Sequence, residues 1–179
     1  MEEFEPVLED RDTALMRALS ELGATLARRS GDQGGDESDW METMIALTAS
    51  YPDPYVRCQI ATHGSLRQLR ALAQDENLSV RAQCAENGFI IDLDLQLMLA
   101  MDPEPVVIHA MLDRVDPYRE VVEVLVDSPH RSVRARLATL NISTELLQRL
   151  AGDTDEKVSG IARTRLEQRA SMKKSGVRE

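Results

Sequence analysis

Three arginines recur at matching points of the sequence and have the chemistry to bind carboxylate or phosphate groups. Arg57, Arg81 and Arg134 each follow a valine directly, and a glutamine or an arginine stands two residues later. The guanidinium group carries a planar fork of N–H donors that favours two-point contacts with such anions. If folding aligns these positions on one side, they predict a row of cations that holds a bound chain. The candidate partner-binding residues are Arg57, Arg81, Arg134, Gln59, Gln83, Arg136 and Tyr55.

A structural role for the arginines is the alternative, and the sequence favours it. Asp75 and Asp127 stand five and six residues before a valine that precedes an arginine. Such an arginine would tie down the turn ahead of its own helix. Tyr55 also has two interpretations, since Tyr51, Tyr55 and Tyr118 lie beside prolines in expected turns. Each tyrosine either anchors a partner or covers the edge of the core.

The histidines and cysteines lack the spacing that a metal or redox site requires. His63, His109 and His130 form no zinc-binding motif. Cys58 and Cys84 are expected to be small core residues. The sequence also contains no glycine-rich phosphate loop and no serine-nucleophile motif. We therefore predict no metal, no cofactor and no catalytic activity.

Composition narrows the possible classes of protein. The chain has 179 residues, of which 31 are acidic and 21 basic, and its net charge of -10 disfavours general binding to nucleic acid. Aromatic residues make up only 3%, fewer than strand-rich folds use, so helices are expected. No apolar run is long enough to span a membrane, and the acidic start lacks the basic region of a secretion signal. A soluble, reduced, cytoplasmic protein is expected.

Charge is distributed unevenly along the chain. Residues 1–55 carry 13 acidic and 4 basic residues, whereas residues 128–179 carry 6 acidic and 11 basic ones. A solvated surface with a solubilising tail explains this pattern. The other interpretations are head-to-tail docking between copies of the chain and nucleic-acid binding through the basic C-terminal third.

The elements that must position these residues repeat along the chain. A valine recurs at spacings of 24, 27, 26 and 25 residues, and each valine marks what we call a copy, numbered 1 to 5. The five valines are Val56, Val80, Val107, Val133 and Val158. In each copy a mostly apolar stripe is followed by turn residues and then by a second stripe that begins at the valine. This pattern predicts two helices per copy, of which at least one is short or 3₁₀.

The repeated positions resemble the leucine-rich repeat variant family and, more loosely, short HEAT-like repeats. Copy 2 matches the family pattern throughout, at Leu72, Ala73, Asp75, Val80, Arg81, Ala85 and Asn87. The resemblance covers about residues 45–166, and it implies a right-handed superhelix of alternating α and 3₁₀ helices. Ile108 and Ser159 depart from the pattern, because both stand where the family has arginine. One family member holds an iron–sulfur centre on clustered cysteines, which this chain lacks, so the resemblance implies no cofactor.

The chain is expected to have four segments. Residues 1–29 form an amphipathic helix with leucines at heptad spacing, which either caps the first repeat or dimerises as a coiled coil. Residues 30–38 form a flexible acidic linker rich in glycine, and residues 39–166 form the repeat solenoid. Residues 167–179 are predicted to be a disordered basic tail. We expect a monomer, or a weak dimer formed through the N-terminal helix.

The predicted architecture is therefore all-α: a right-handed α-solenoid of about five repeats of 24–27 residues with an N-terminal helical cap. Its extended surface favours a non-catalytic module that binds another protein or a peptide, as a scaffold, an adaptor or a regulatory or immunity-type binder. One alternative is nucleic-acid binding, as in some HEAT-like solenoids, which the overall charge disfavours. Another is chromophore or ligand handling, because phycobilin lyases contain similar short repeats. Cysteines expected in the core argue against that function.

Overall fold

Helix is the regular structure throughout the part of the chain that the structure describes. This structure, a computed structural model, describes residues 45–87, 90 and 92–174, together with positions 13, 17, 20, 21 and 24. No strand occurs in these residues, so the predicted all-α class is confirmed for them. No helix described there is both long and apolar enough to cross a membrane.

Short helices follow one another along the described chain. Residues 45–49 are helical, and nine helices come after them in the described residues. They are α1 (Pro54–His63), α2 (Leu66–Leu72), α3 (Leu78–Glu86), α4 (Leu93–Ala100), α5 (Pro105–Arg114), α6 (Arg119–Leu125), α7 (Arg131–Thr139), α8 (Thr144–Ala151) and α9 (Glu156–Lys174). Each repeated valine is the third residue of an odd-numbered helix, and an even-numbered helix precedes every valine after the first.

The apolar stripes of the sequence form the core. All five repeated valines are at most 1% exposed. The residues four positions after the valine continue this buried face in copies 2 to 5, and they are Cys84, Met111, Leu137 and Ala162. The even-numbered helices bury a leucine eight residues before the valine, and these are Leu72, Leu99, Leu125 and Leu150. Copies 2 to 5 therefore each bury one stripe from each of their two helices, as the spacing predicts.

Polar side chains fix where several helices begin. Asp53 accepts a hydrogen bond from the N–H of Tyr55 at 2.8 Å, and Asn77 accepts one from the N–H of Ser79 at 2.9 Å. These bonds satisfy N–H groups that have no partner within the helix. Pro54 occupies the first position of α1, where its missing N–H costs nothing. Caps and turns together set the short helix lengths.

The helices pack in the order in which they occur in the chain. Each odd-numbered helix contacts the next odd-numbered helix, from α1 to α9, and α4 contacts α6. Every even-numbered helix also contacts the odd-numbered helix that follows it. One cluster of buried residues extends from Ala61 to Ala162. Neighbouring copies therefore bury each other's apolar edges.

The short helices are α-helical, which corrects the expectation of 3₁₀ helices. The even-numbered helices have seven or eight residues, and none of the described residues is 3₁₀. The amide of Ala73 donates to the carbonyl of Leu69 at 2.8 Å, four residues back, as in an α-helix. A seven-residue α-helix still places leucines three apart on one face, so shortening alone fits two helices into a copy.

The prediction of a disordered tail at residues 167–179 is wrong for its first part. Helix α9 extends eight residues into this segment. Arg169 donates to the carbonyl of Ile142 at 2.8 Å and to Asn141 Oδ1 at 2.7 Å. These bonds satisfy polar groups after the end of α7, so a basic residue taken for a solubilising one has a structural role. Residues 175–179 lie outside the described part of the chain.

The predicted N-terminal cap at residues 1–29 and linker at residues 30–38 lie outside the described residues, apart from five positions. Positions 13, 17, 20, 21 and 24 are helical and exposed. Whether this segment caps the first repeat or dimerises stays a prediction.

Candidate functional site

Arg81 joins two consecutive turns of the chain. Its Nη1 atom donates to the carbonyl of Asp75 at 2.9 Å, in the turn directly before its own helix. Its Nε atom donates to Asp102 Oδ2 at 2.7 Å, in the turn of the next copy. One planar guanidinium therefore binds the backbone of copy 2 and the carboxylate of copy 3. We call such an arginine–aspartate pair between consecutive turns a clasp.

The same clasp forms at two other steps between copies. Arg57 Nε donates to Asp75 Oδ2 at 2.6 Å, and its Nη1 donates to a carbonyl of its own turn at 2.6 Å. Arg134 Nε donates to Asp153 Oδ2 at 2.7 Å, and its Nη1 donates to a carbonyl of its own turn at 2.7 Å. In each clasp the arginine lies one residue after a valine, and the aspartate lies five residues before the next valine.

Each clasp aspartate also shapes its own turn. Oδ1 of Asp75, Asp102 and Asp153 accepts the N–H two residues later, at 2.8, 2.9 and 2.8 Å respectively. This local bond fixes the orientation of the carboxylate and satisfies a backbone donor. The aspartate therefore closes its own turn and receives the arginine of the preceding copy.

The clasps are largely removed from solvent. The side chains of Arg57 and Asp75 are 7% and 4% exposed, and those of Arg134 and Asp153 are 16% and 8% exposed. Hydrogen bonds to the carboxylates raise the pKa of both arginines. The bond from Arg134 in turn lowers the pKa of Asp153. The fold tolerates these buried charges because each arginine is paired and hydrogen-bonded with the carboxylate of its aspartate.

The structural interpretation of the three arginines is therefore supported, with a correction to the partner. The predicted pairing with the aspartate of the same turn is wrong, since the Asp75 carboxylate pairs with Arg57 and Arg81 reaches Asp102 instead. In Arg57 and Arg81, one edge of the guanidinium donates to a backbone carbonyl of the turn before its own helix. This bond directs the other edge of the guanidinium towards the next copy. Because their donors are engaged within the chain, the arginines form a framework and not the open contact surface that their spacing suggested.

The other predicted residues lie on a different face. Gln59, Gln83 and Arg136 are three residues after a valine, two residues beyond the clasp position, which is a rotation of about 200° on an α-helix. All three are half-exposed, as is Tyr55. Arg136 Nη2 donates to Asp113 Oδ1 at 2.7 Å, which is again a contact between two copies. The predicted residues thus separate into two sets, the turn clasps and an odd-helix face.

The step from copy 3 to copy 4 lacks a clasp. Ile108 stands in place of the arginine, and Ser128 stands in place of the aspartate. They are 1% and 7% exposed, and Ser128 Oγ still accepts the N–H of His130 at 3.3 Å. Loss of the arginine alone would leave a buried carboxylate without a partner, so the two changes belong together. This paired change is the signal in the sequence from which a clasp between copies could have been predicted.

A second polar pair occurs at one of the four described steps. Between copies 4 and 5, Arg149 Nη2 donates to Asp127 Oδ2 at 2.8 Å. The arginine lies nine residues before its valine, and the aspartate lies six residues before its own. The corresponding residues between copies 3 and 4 are Val124 and Met101. Their exposures are 43% and 74%, so this apolar pair lies at the surface.

A cleft of about 310 Å³ lies between the turns of copies 3 and 4. We call it the open cleft. Its lining is mainly apolar and includes Met101, Pro103, Ile108, Val124 and Pro129. The corresponding cleft between copies 4 and 5 contains a clasp and the second polar pair, and the one between copies 1 and 2 contains a clasp. The steps between copies 1 and 2 and between copies 2 and 3 also lack the second pair, since they have Ser50 with Ala71 and Gln74 with Met98. The open cleft differs from the other two clefts because it contains no clasp, and Met101 and Val124 add to its apolar lining.

Two buried amides bind backbone groups of neighbouring elements. Asn87 Nδ2 donates to the carbonyl of Ala61 at 2.7 Å. Gln96 Nε2 donates to the carbonyl of Ile90 at 2.8 Å, and its Oε1 accepts the N–H of Tyr118 at 3.1 Å. Asn87 is part of the family pattern, whereas the role of Gln96 was missed. Its signal was a polar residue at a position that is otherwise apolar in the copies.

The cysteines lie in surroundings that suppress thiol reactivity. Cys84 is fully buried, and burial raises its pKa to about 12. Burial also raises the pKa of Cys58, which is half-buried. Protonated thiols are poor nucleophiles and poor metal ligands. Within the described residues, no histidine, cysteine, aspartate and glutamate side chains are grouped so that they could hold a metal ion.

Comparison with known proteins gives no further indication of activity. The chain matches no protein-family model, no curated protein and no solved structure. Its function must therefore be inferred from its own geometry.

Proposed function

We propose that the chain is a non-catalytic protein–protein interaction module, built as a right-handed α-solenoid of about five repeats. One observation carries the proposal: three clasps tie the turns of successive copies to one another. A frame held by internal bonds leaves the outward residues of its helices and turns free to specialise for binding. The resemblance to the leucine-rich repeat variant family implies a superhelix of this kind, but the short helices of the described residues are α-helical and not 3₁₀.

The packing order of the helices supports an extended binding surface. Each odd-numbered helix contacts the next one along the chain. When copies contact only their neighbours, every added copy lengthens the surface instead of deepening the core. A partner that lies along such a surface gathers contacts from several copies, which is the usual way in which solenoids bind proteins.

A protein or peptide partner fits the described basic residues better than nucleic acid does. Arg136 is paired with Asp113, and Arg149 is paired with Asp127. Phosphate-binding grooves need cations that can exchange their counterions for phosphates. Arginines already paired with carboxylates lose that advantage, so the basic C-terminal third favours structure over nucleic-acid binding.

The state of the thiols favours binding over chromophore or ligand chemistry. Cys58 and Cys84 are both free, and the burial of Cys84 keeps it from forming a covalent link to a ligand. Free thiols also agree with our expectation of a reduced, cytoplasmic setting.

The proposal is tested by capturing partners on the tagged full chain and then measuring the affinity of each purified candidate by calorimetry. We expect a stoichiometric complex with one protein. Its affinity should fall when the odd-helix face is changed by Gln59→Glu, Gln83→Glu and Arg136→Glu together, or when the turn edge is changed by Met101→Gln. Thermal unfolding of each variant must match that of the wild type. A complex that neither variant weakens, or no protein complex at all, would contradict the proposal.

A further inference from the structure

We propose that the open cleft between copies 3 and 4 is the docking site for an aliphatic side chain of a protein partner, carried on a segment with flanking lysine or arginine residues. The inference rests on the proposed function as an interaction module, to which it adds the place and the chemistry of the contact. Its basis is the loss of the clasp at one step, the exposed apolar residues that line the cleft there, and the charge around that step.

The exposed apolar pair at the open cleft has no structural explanation in the frame. Ile108 replaces a clasp arginine and is 1% exposed, so it closes the floor of the cleft. Met101 and Val124, by contrast, are 74% and 43% exposed. Folding gains little from apolar side chains that remain in water, and grouped exposed apolar residues mark binding sites. A partner that covers Met101 and Val124 would remove their apolar surface from water, and the free energy of this burial would favour binding.

The cleft has the shape for one inserted side chain. Pro103 and Pro129 contribute to its lining from the two adjacent turns, and their rings fix the backbone φ angle. Val124 is stiff about χ1, whereas Met101 is flexible and adapts to the shape of its neighbour. A volume of about 310 Å³ accommodates a leucine, isoleucine or methionine side chain. Preformed walls reduce the entropy lost when such a side chain binds.

The charge around the cleft selects the sequence that flanks the inserted side chain. Residues 93–127 include eight acidic and two basic residues. Arg119 is paired with Glu123 at 2.8 Å. Arginines outside this segment pair with four more of its acids, so its uncompensated carboxylates are Glu104, Asp116 and Glu120. Glu104, which follows the lining residue Pro103, is exposed. Lysine or arginine beside the inserted residue complements this field, whereas an acidic segment is repelled.

A second copy of the chain is the competing occupant. Each chain carries a net charge of -10, which opposes the approach of two chains at an already acidic region. We therefore assign the cleft to a different protein and treat self-association as an outcome of the test.

The test uses the full chain and a random dodecapeptide library displayed on phage. Selected peptides are synthesised with a fluorescent label, and their affinity is measured by anisotropy. The key variant is Ile108→Arg with Ser128→Asp, which installs at this step the clasp found at three others and keeps the net charge unchanged. Because the other steps fold with this pair, the variant keeps the frame and replaces the apolar floor of the cleft with charged groups.

Two single variants complete the set. Met101→Gln introduces the residue that copy 2 has at the corresponding position, Gln74. Gln74→Met is the matched control, which adds the same apolar side chain at a step that retains its clasp. Far-ultraviolet circular dichroism and thermal unfolding check that all variants are folded.

We expect the library to yield peptides with leucine, isoleucine or methionine between basic residues. Their affinity should fall by about tenfold or more in Ile108→Arg/Ser128→Asp and in Met101→Gln, and it should stay unchanged in Gln74→Met. Peptides without basic residues, or peptides that bind the clasp variant as well as the wild type, would overturn the inference.

Other results separate this inference from the proposed function. If a captured protein binds the clasp variant as tightly as the wild type, the cleft assignment is overturned and the interaction function stands. If the chain itself associates and the clasp variant abolishes this, a second copy is the occupant and the inference is also overturned. If neither peptides nor proteins bind, both the inference and the proposed function fail.

Discussion

At the scale of single residues, a clasp combines a cross-link with a turn cap. Asp102 is 7% exposed and receives Arg81, while its second oxygen accepts an N–H of its own turn. Replacing the arginine would leave a buried carboxylate with only part of its hydrogen bonds, at a cost of about 3–5 kcal/mol for a fully buried pair. The joint loss at Ile108 and Ser128 avoids this cost.

The clasp between copies 4 and 5 makes stability depend on pH. Hydrogen bonds from the Arg134 guanidinium and then from the N–H of Asp155 hold the pKa of Asp153 below its ordinary value of 3.8. A carboxyl whose pKa is lower in the folded than in the unfolded state stabilises the fold, and this stabilisation is complete above the unfolded pKa. It is lost as pH falls through the folded pKa. We expect Asp153→Asn to lower the free energy of unfolding by about 1–3 kcal/mol at neutral pH. Urea unfolding should show that difference shrinking below about pH 4.

The exposed Asp116→Asn is the control for this measurement. It should leave the free energy of unfolding unchanged within about 0.5 kcal/mol at either pH. A gap between wild type and Asp153→Asn that stays constant down to strongly acidic pH would mean that the carboxylate is not the group whose protonation weakens the clasp.

Thiol labelling reports the burial of Cys84. With its pKa raised to about 12 and no exposed surface, this thiol should not react with Ellman's reagent in the folded protein at about pH 8. A Cys58→Ser variant makes Cys84 the sole thiol, since the chain has two cysteines. We expect no colour from the folded variant and one equivalent in urea. Rapid stoichiometric labelling without denaturant would show that Cys84 is accessible.

The residue types of the clasp could be predicted from the sequence, but their partners could not. Spacing singled out Arg57, Arg81 and Arg134, and it suggested a structural role. It could not show that the arginine of one copy reaches the aspartate of the next, because that contact depends on how far apart stacked turns lie. Asp75 belongs to the same copy as Arg81 and is closer to it in sequence than Asp102, which belongs to the next copy. Sequence spacing therefore favours the local pair of Arg81 with Asp75.

At the scale of elements, the sequence predicted the helices better than their ends. The buried valine of each odd-numbered helix and the leucine stripes followed directly from periodicity, whereas each of these helices begins two residues before its valine. The end of α9 could not be predicted from periodicity, because residues 167–174 have few apolar side chains. Contacts with copy 4 support this part of the helix instead. Arg169 provides such a contact, and its partners Asn141 and Ile142 lie 28 and 27 residues away.

Replacing Gln96 measures how much a hydrogen-bonded polar residue in an apolar stripe contributes to the free energy of unfolding. Gln96→Leu restores the residue type that Leu69 and Leu147 show at the same position of their copies. Because the carbonyl of Ile90 is buried and would lose its donor, we expect the free energy of unfolding to fall by about 1–3 kcal/mol. Urea unfolding of this variant beside the exposed Gln148→Leu measures the effect. Equal or greater stability of Gln96→Leu would show that the two hydrogen bonds contribute little.

The C-terminal part of α9 is expected to stabilise the fold. Arg169→Ala removes two hydrogen bonds to the segment after α7, and its thermal midpoint should fall by roughly 2–4 °C. Gln168→Ala, one residue earlier and exposed, should leave the midpoint unchanged. Calorimetry compares the two. An unchanged midpoint for Arg169→Ala would restore the view of this segment as a dispensable tail.

At the scale of the whole molecule, the proposed function rests on the regularity of the frame and on its single interruption among the described steps. Clasps at three steps make the copies equivalent, and the step between copies 3 and 4 departs from them because Ile108 and Ser128 replace the clasp residues. The sequence predicted the equivalence from five valines. It did not reveal the open cleft, because Met101 and Val124 belong to different copies and line one cleft only in the folded chain.

The central claim is that clasps join consecutive copies, and a pair of double-mutant cycles tests it most directly. Urea unfolding gives the coupling energy of Arg81→Met with Asp102→Asn, and separately that of Arg81→Met with Asp75→Asn. We predict a coupling of about 1–3 kcal/mol for the pair between copies and less than about 0.5 kcal/mol for the pair within copy 2. Negligible coupling with Asp102, or a larger coupling with Asp75, would contradict the account.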